Sequence, residues 1–233
     1  MPSYSDVLKV YGVPRSGTTY LKQLIELNFD ALVLEDALGF QHGQVIKQID
    51  WEGLDWPNPD YWSEERIDNL KKQVMPYKED IQERYTQGKL YFVFIIKNPY
   101  AWYHSIRLSS RAPFEPLCLK NIYHWNERNR HYLEYYQSHP KESFFVRFED
   151  FYTEGYSTVL IGLEQIFNLK KTGDYRNITH VVSQRTAESD IGEFNIKKYQ
   201  DKFYLDKLGP KVIEGISNHV DADLMSVFGY KYE

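Results

Sequence analysis

The chain has 233 residues, which suits one α/β domain with a substantial core better than two small ones, so a single domain over 1–233 is expected. Its formal net charge of -5 at pH 7 argues against a general nucleic-acid binder, which is basic overall, and no apolar run is long enough to span a bilayer. With Cys118 as the one cysteine, no internal disulfide and no cysteine metal cluster can form, as expected of a cytoplasmic protein in a reducing compartment. The first apolar run starts within a few residues of Met1, so neither a signal peptide nor a membrane anchor is expected. The 20 Tyr and 5 Trp suit semi-polar cavities, where a ring packs and its O–H or N–H finds a partner, although most are expected as core and surface filler.

The organising stretch is VLKVYGVPRSGTTYLKQLIEL, Val7 to Leu27. An apolar run, Val7 to Tyr11, meets Gly12, Val13, Pro14, Arg15, Ser16, Gly17, Thr18 and Thr19, and Leu21, Leu24, Ile25 and Leu27 then recur at helical spacing. The pattern predicts strand, phosphate loop and helix, with the Gly12 to Gly17 spacing of a P-loop. One position breaks that motif. Thr18 stands where an ATP-using loop carries the Lys that meets the β- and γ-phosphates, and the loop's positive charge sits on Arg15. Without that Lys a γ-phosphoryl transfer loses a main source of charge stabilisation, which counts against an ordinary ATPase or kinase.

Ala31 to Leu34 reads as a second strand, with Glu35 and Asp36 at its C-terminal end. In an open parallel sheet that end faces the ligand crevice, which makes Glu35 a candidate general base. His42, in the segment Gly39 to Gly43, is a second candidate. The plainer readings are a solvated turn for the carboxylates and a backbone-satisfied imidazole for His42. Trp51 to Trp62 is too rich in Pro for a helix and too aromatic for a disordered linker, so an ordered loop that lines the acceptor site or plugs the core is expected. Ser63 can cap a helix that opens with Glu64 and Glu65 and runs to about Gly88, bent near Pro76.

Leu90 to Ile96, LYFVFII, is a continuous apolar run, as expected of a central strand buried on both faces. Lys97, Asn98 and Pro99 follow, with Asn98 suited to N-cap and Pro99 to the first helical position, which predicts a helix over Pro99 to Leu108 carrying Ser105. A long helix is predicted over Phe114 to Gln137, with Leu117, Ile122, Trp125, Tyr132, Leu133 and Tyr136 as its apolar positions. His124 and His131 lie seven apart on it without an acidic partner at ligand spacing, so no metal site is expected. Ser143 to Phe148 predicts a further buried strand and Tyr156 to Phe167 an amphipathic helix. Lys170 to Asn177 reads as a polar turn, and Gly209-Pro210 opens a closing helical segment, Leu208 to Tyr230. The stretch Ile178 to Leu205 has no clear period.

The loop P-R-S-G-T-T resembles the 5′-phosphosulfate loop of sulfotransferases that use 3′-phosphoadenosine 5′-phosphosulfate (PAPS). KNPYAWYHS, Lys97 to Ser105, is similar to that family's strand, Arg-Asn-Pro and Ser motif with Lys in place of Arg. Arg147 to Phe151 is similar to its Tyr-Glu-Asp-Leu segment, and the closing FGY, Phe228 to Tyr230, to its final Phe-Gly-Tyr. The resemblance implies a P-loop-type α/β fold with a central parallel sheet flanked by helices. It implies that the loop amides with Pro14, Arg15, Ser16, Gly17, Thr18 and Thr19 hold the 5′-phosphosulfate, that Lys97 and Ser105 hold the 3′-phosphate, and that Phe148 approaches the adenine. Lys at position 97 offers a point charge where Arg offers a bidentate fork. A basic Gly-containing loop closes over the 3′-phosphate in the family. Here Arg185, Lys197, Lys198 and Lys202 are the cations available, with Lys198 the candidate contact, and a solvated basic face is the alternative.

The implied activity is metal-free, in-line sulfuryl transfer from PAPS to a hydroxyl. Arg15 and the loop dipole face the leaving oxygen, and Glu35 or His42 takes the acceptor proton. The wording Asn-Pro-Tyr-Ala-Trp is closer to bacterial and glycan-type members, which favours a carbohydrate or small hydroxylated metabolite as acceptor. Two alternatives stay open: an ATP-dependent small-molecule kinase with an unusual loop, and a non-catalytic nucleotide-binding protein on the same fold.

Overall fold

In the computed structural model the described residues are 4–34, 39–46, 49, 51, 64–178, 180–182, 191–193 and 197–233, with the backbone alone for residues 66, 73, 180–182, 191–193, 197 and 198. The elements run β1 (Asp6–Tyr11), α1 (Thr18–Asn28), β2 (Ala31–Leu34), α2 (Glu64–Val74), a 3₁₀ turn (Met75–Tyr77), α3 (Lys78–Thr86), β3 (Leu90–Ile96) and α4 (Pro99–Ser109). They continue with α5 (Leu119–Ser138), β4 (Ser143–Arg147), a π-turn (Phe151–Gly155), α6 (Tyr156–Phe167), β5 (His180–Val182), β6 (Ile191–Glu193), α7 (Lys197–Gln200), α8 (Tyr204–Leu208), α9 (Pro210–His219) and α10 (Ala222–Val227).

Four strands form a parallel sheet in the order β2-β1-β3-β4, with helices on both faces, so the fold is α/β. The β-branched and aromatic runs explain its burial. Leu8 and Val10 of β1 face a cluster with Leu21, Leu24 and Ile25 of α1 and Leu160 and Leu163 of α6. Val7 and Tyr11 face the opposite side with Phe92 and Phe94 of β3, Ile81 of α3 and Tyr132 of α5. A third apolar cluster joins α4, α5, α8, α9 and α10 through Trp102, Tyr103, Trp125, Val212 and Leu224.

The connection order positions the site. From β1 the chain turns to β2 on one side and then crosses to β3 on the other, so the sheet's switch point lies between β1 and β3. Loops diverge there at the C-terminal ends of the strands and leave a crevice. The 12–17 loop follows β1, and Lys97 follows β3.

Segment 39–46 is fastened across the sheet from several elements. The Lys9 Nζ, buried in β1, donates to the Gly39 carbonyl at 2.6 Å, and the Gly12 N–H donates to the Gln41 carbonyl at 3.0 Å. The Tyr132 hydroxyl donates to the Gly43 carbonyl at 2.8 Å, while the Ile46 N–H donates to the Tyr11 hydroxyl at 3.2 Å.

Two expectations are corrected. The long helix begins at Leu119 and not at Phe114, because Pro113 and Pro116 leave the residues before it without the amide donors a helix interior needs. The closing segment is two helices, α9 and α10, divided where Asp221 accepts from the Asp223 and Leu224 N–H groups and caps the second. The stretch without a clear period holds an antiparallel β5–β6 pair followed by α7 and the start of α8. The bend expected at Pro76 is the 3₁₀ turn between α2 and α3. Of the Trp51 to Trp62 loop only Trp51 is described, and its indole Nε1 donates to Gln82 Oε1 at 3.0 Å. No helix among the described residues is long and apolar enough to cross a membrane.

Candidate functional site

The loop after β1 turns tightly because its glycines permit it. A Cβ on Gly12 would stand 2.5 Å from Ser16 Oγ and 2.7 Å from the Ile95 carbonyl oxygen, so no larger residue fits. Gly17 has φ +106, and a Cβ there would meet Phe148 Cδ2 at 2.7 Å. Arg15 also has positive φ, at 69°. Left-handed residues in such a loop turn successive N–H groups to one side and form a concavity suited to an anion. Gly17 is the N-cap of α1 and no side chain caps that end, so the first-turn amides of Thr18 and Thr19 are presented at the loop.

Within the loop Thr18 is buried, Pro14 and Thr19 are half-buried, and Arg15 is exposed. Ser16 is fully enclosed, and its hydroxyl has no hydrogen-bond partner. The indole Nε1 of Trp102 in α4 donates to the Pro14 carbonyl at 2.7 Å and ties the loop to the neighbouring helix.

At the end of β3 the N–H groups of Tyr100 and Ala101 donate to Asn98 Oδ1, so α4 starts where the strand stops. Lys97, 2 % exposed, donates from Nζ to Ser105 Oγ at 3.1 Å, two turns into α4. Its ammonium lies 4.4 Å from the centre of the Phe148 ring and 4.1 Å from that of Tyr199, a cation–π clamp from two sides. Burial pushes the Lys97 pKa down, and Tyr199 and the Glu149 carboxylate partly offset that. Arg15 lies near enough to oppose its charge. The Trp125 Nε1–H donates to the Lys97 carbonyl at 3.1 Å and fixes the backbone under this side chain.

Phe148 follows β4 and its N–H donates to the Ile96 carbonyl at 2.7 Å, which seats the ring between Gly17 and Lys97. The next residue, Glu149, accepts from the Asn98 N–H at 3.0 Å and from the Tyr230 hydroxyl at 2.8 Å. Burial holds its carboxyl above the usual carboxylate range, and the hydrogen bonds from Asn98 and Tyr230 and then the Lys97 charge offset that only in part. Sequence reasoning assigned no role to Tyr199, Glu149, Tyr230, Trp102 or Trp125. Glu149, Trp102 and Tyr230 stood in matched motifs. The others reach the site through contacts between distant parts of the chain.

His42, 8 % exposed, lies 2.5 Å through Nδ1 from the Gly12 carbonyl. A carbonyl only accepts, so Nδ1 carries the hydrogen and Nε2 the lone pair in the neutral ring. This is the backbone-satisfied imidazole of the plainer reading, set at the first residue of the loop, and its tautomer is one that a base can use.

The structure therefore brings Pro14 to Thr19, Lys97, Ser105 and Phe148 to one crevice, with His42 at the Gly12 end of the loop. Glu35, Asp36 and Arg185 lie outside the described residues. Lys198 falls in α7 beside Tyr199, and its side chain is outside the description. Lys202 pairs with Glu233. Among the described residues no group of three or more His, Cys, Asp or Glu is arranged to hold a metal ion. No protein-family model matches the chain, and no curated protein matches it either.

Proposed function

We propose that this protein transfers a sulfuryl group from PAPS to a hydroxyl of a carbohydrate or small metabolite. One observation carries the reading: the crevice has two separate places for anions, the loop amides at the start of α1 and the buried Lys97–Ser105 pair at the start of α4. A nucleoside triphosphate bears a single phosphate chain and needs one such place. A nucleotide phosphorylated on both its 5′ and 3′ oxygens needs two, with an apolar surface between them for the base, and Phe148 lies between the two. The enclosed Ser16 hydroxyl without a partner is a further donor that a bound phosphosulfate would satisfy.

In this reading the acceptor oxygen attacks sulfur in line with the bond to the 5′-phosphate oxygen, which breaks and leaves 3′-phosphoadenosine 5′-phosphate. Negative charge grows on that oxygen, where the α1 amides and Arg15 stabilise it. The acceptor proton passes to a base. His42 is one candidate, a reading supported by the Gly12 carbonyl that holds its Nδ1–H and so sets the tautomer. Glu35 is the second candidate. Positioning and electrostatics supply most of the acceleration, as in loose phosphoryl transfer.

The test is transfer of label from ³⁵S-PAPS to a panel of sugars and small alcohols, with His42→Ala, Glu35→Gln and the double variant in parallel. Labelled product with the native chain, and a sharp loss in the double variant at unchanged nucleotide affinity, is the expected result. Absence of transfer to every acceptor, or full activity in the double variant, refutes the catalytic assignment.

A further inference from the structure

Helix α5 packs on the sheet face that carries Phe92 and Phe94, and two of its contacts tie it to the end of β3 and to segment 39–46. Trp125 reaches the Lys97 carbonyl at the end of β3 at 3.1 Å. Two turns on, Tyr132 reaches the Gly43 carbonyl, next to His42, at 2.8 Å, and stacks on Phe94 with ring centres 5.3 Å apart. Arg128 lies midway between these contacts. On the same stretch of helix His131 Nε2 accepts from the Val45 N–H at 3.2 Å, so segment 39–46 is held against α5 at two points.

Arg128 is half-buried, and its Nε is enclosed without a hydrogen-bond partner. Among the described residues no carboxylate pairs with it. Among the described residues Arg84 bonds Asp80, Arg130 bonds Asp221 and Asp223, Arg147 bonds Asp150, and Arg107 and Arg176 donate to backbone carbonyls. The charges around Arg128 are mainly unhelpful to it. His124, one turn earlier, is kept toward its neutral form by burial and then by Arg128 itself; Lys120 adds positive charge there, and only Glu127 opposes it. An enclosed guanidinium N–H without an acceptor is costly, and an incoming oxyanion removes that cost. Asn129 Nδ2 donates to the Trp125 carbonyl at 2.8 Å, which fixes the amide orientation, and its buried Oδ1 has no donor.

We infer that Arg128 recognises an oxyanion on the acceptor, and that the acceptor is an acidic sugar, hydroxylated and carrying a carboxylate or sulfate group. The inference rests on the crevice being a sulfuryl-acceptor site. The planar guanidinium fork matches either oxyanion, and the hydroxyl to be sulfated then faces His42, whose neighbour Gly43 is bonded to the same helix.

The test is NMR titration of the full chain with methyl glucuronide, methyl glucoside 6-sulfate and methyl glucoside, each with and without saturating 3′-phosphoadenosine 5′-phosphate. At least one charged sugar is expected to bind about tenfold or more tightly than the neutral one. Arg128→Gln should abolish that preference and leave the affinity for the nucleotide unchanged, with Arg128→Lys intermediate. Arg128→Lys alone decides the matter if Arg128→Gln fails to fold. Equal binding of the three sugars, binding of none, or a preference that survives both substitutions overturns the inference. So does loss of nucleotide affinity in Arg128→Gln, which would put Arg128 on the donor. If the nucleotide does not bind but the Arg128-dependent preference remains, the anion subsite stands and the sulfotransferase reading falls.

Discussion

Replacing Lys97 with Met keeps the length and bulk of the side chain and removes its charge, and the structure predicts opposite effects on binding and on stability. In the complex Lys97 Nζ would donate a charge-assisted hydrogen bond to a phosphate in a buried site. Losing one partner of such a pair costs about 2–4 kcal/mol, or roughly 30- to 700-fold in affinity. In the ligand-free protein the same ammonium is 2 % exposed and has a hydroxyl and two aromatic rings as its near partners, and its pKa is pushed below the usual 10.5. The folded state therefore disfavours the charged form. For a basic group with a depressed folded pKa, that cost is fully present below the folded pKa and fades as pH rises toward 10.5. Lys97→Met should thus be more stable than the native chain at pH 7, by about 1 kcal/mol or more, with a smaller gap at pH 10. Urea unfolding at the two pH values measures the stability arm, and calorimetric titration with 3′-phosphoadenosine 5′-phosphate measures the binding arm. A variant that is less stable at pH 7 and binds the nucleotide as before would refute the reasoning on both counts.

Gly17→Ala combines a left-handed backbone at φ +106 with a methyl 2.7 Å from Phe148, so it should lose about 2–4 kcal/mol in denaturant unfolding; a loss under 0.5 kcal/mol would show that the loop relaxes freely. Glu149, whose pKa is raised by burial, is a group that costs stability once ionised, so its contribution is fully present below pH 4.5 and is lost as pH rises from there through its folded pKa. Glu149→Gln, which can keep both hydrogen bonds, should gain stability relative to the native chain between pH 5 and pH 8, and parallel pH profiles of the two would contradict this. Asp221→Ala removes the cap of α10 and the partner of Arg130, and thermal unfolding should report a loss of about 1–2 kcal/mol. An unchanged melting temperature would show that the cap contributes little.

The parts of the fold that were legible in the sequence are those fixed by local chemistry. LYFVFII could be little other than a buried strand, and Asn98-Pro99 marks the helix start that Asn98 caps in the structure. The run Tyr156 to Phe167 is the helix that its spacing predicts. Gly12 and Gly17 bound a loop whose tightness is visible in the sequence, although the reason, contact with Ile95 and Phe148, is not. What stayed hidden depends on distant pairings. Tyr230 meets Glu149 from 81 residues away, and Tyr199 reaches Lys97 from a stretch with no period to read. In the sequence Arg128 is one polar position among several on a long helix. Only the missing partner around its Nε sets it apart, and a lack of partners is not visible in a sequence.

The central claim is that the crevice holds a nucleotide by phosphates at both ends. Calorimetric titration with 3′-phosphoadenosine 5′-phosphate, beside 5′-AMP and beside ATP with magnesium, tests it most directly. Tight, metal-independent binding of the bisphosphate is expected, with 5′-AMP much weaker because the Lys97–Ser105 pair is left without a phosphate. Equal binding of 5′-AMP, or a preference for ATP with magnesium, would contradict it.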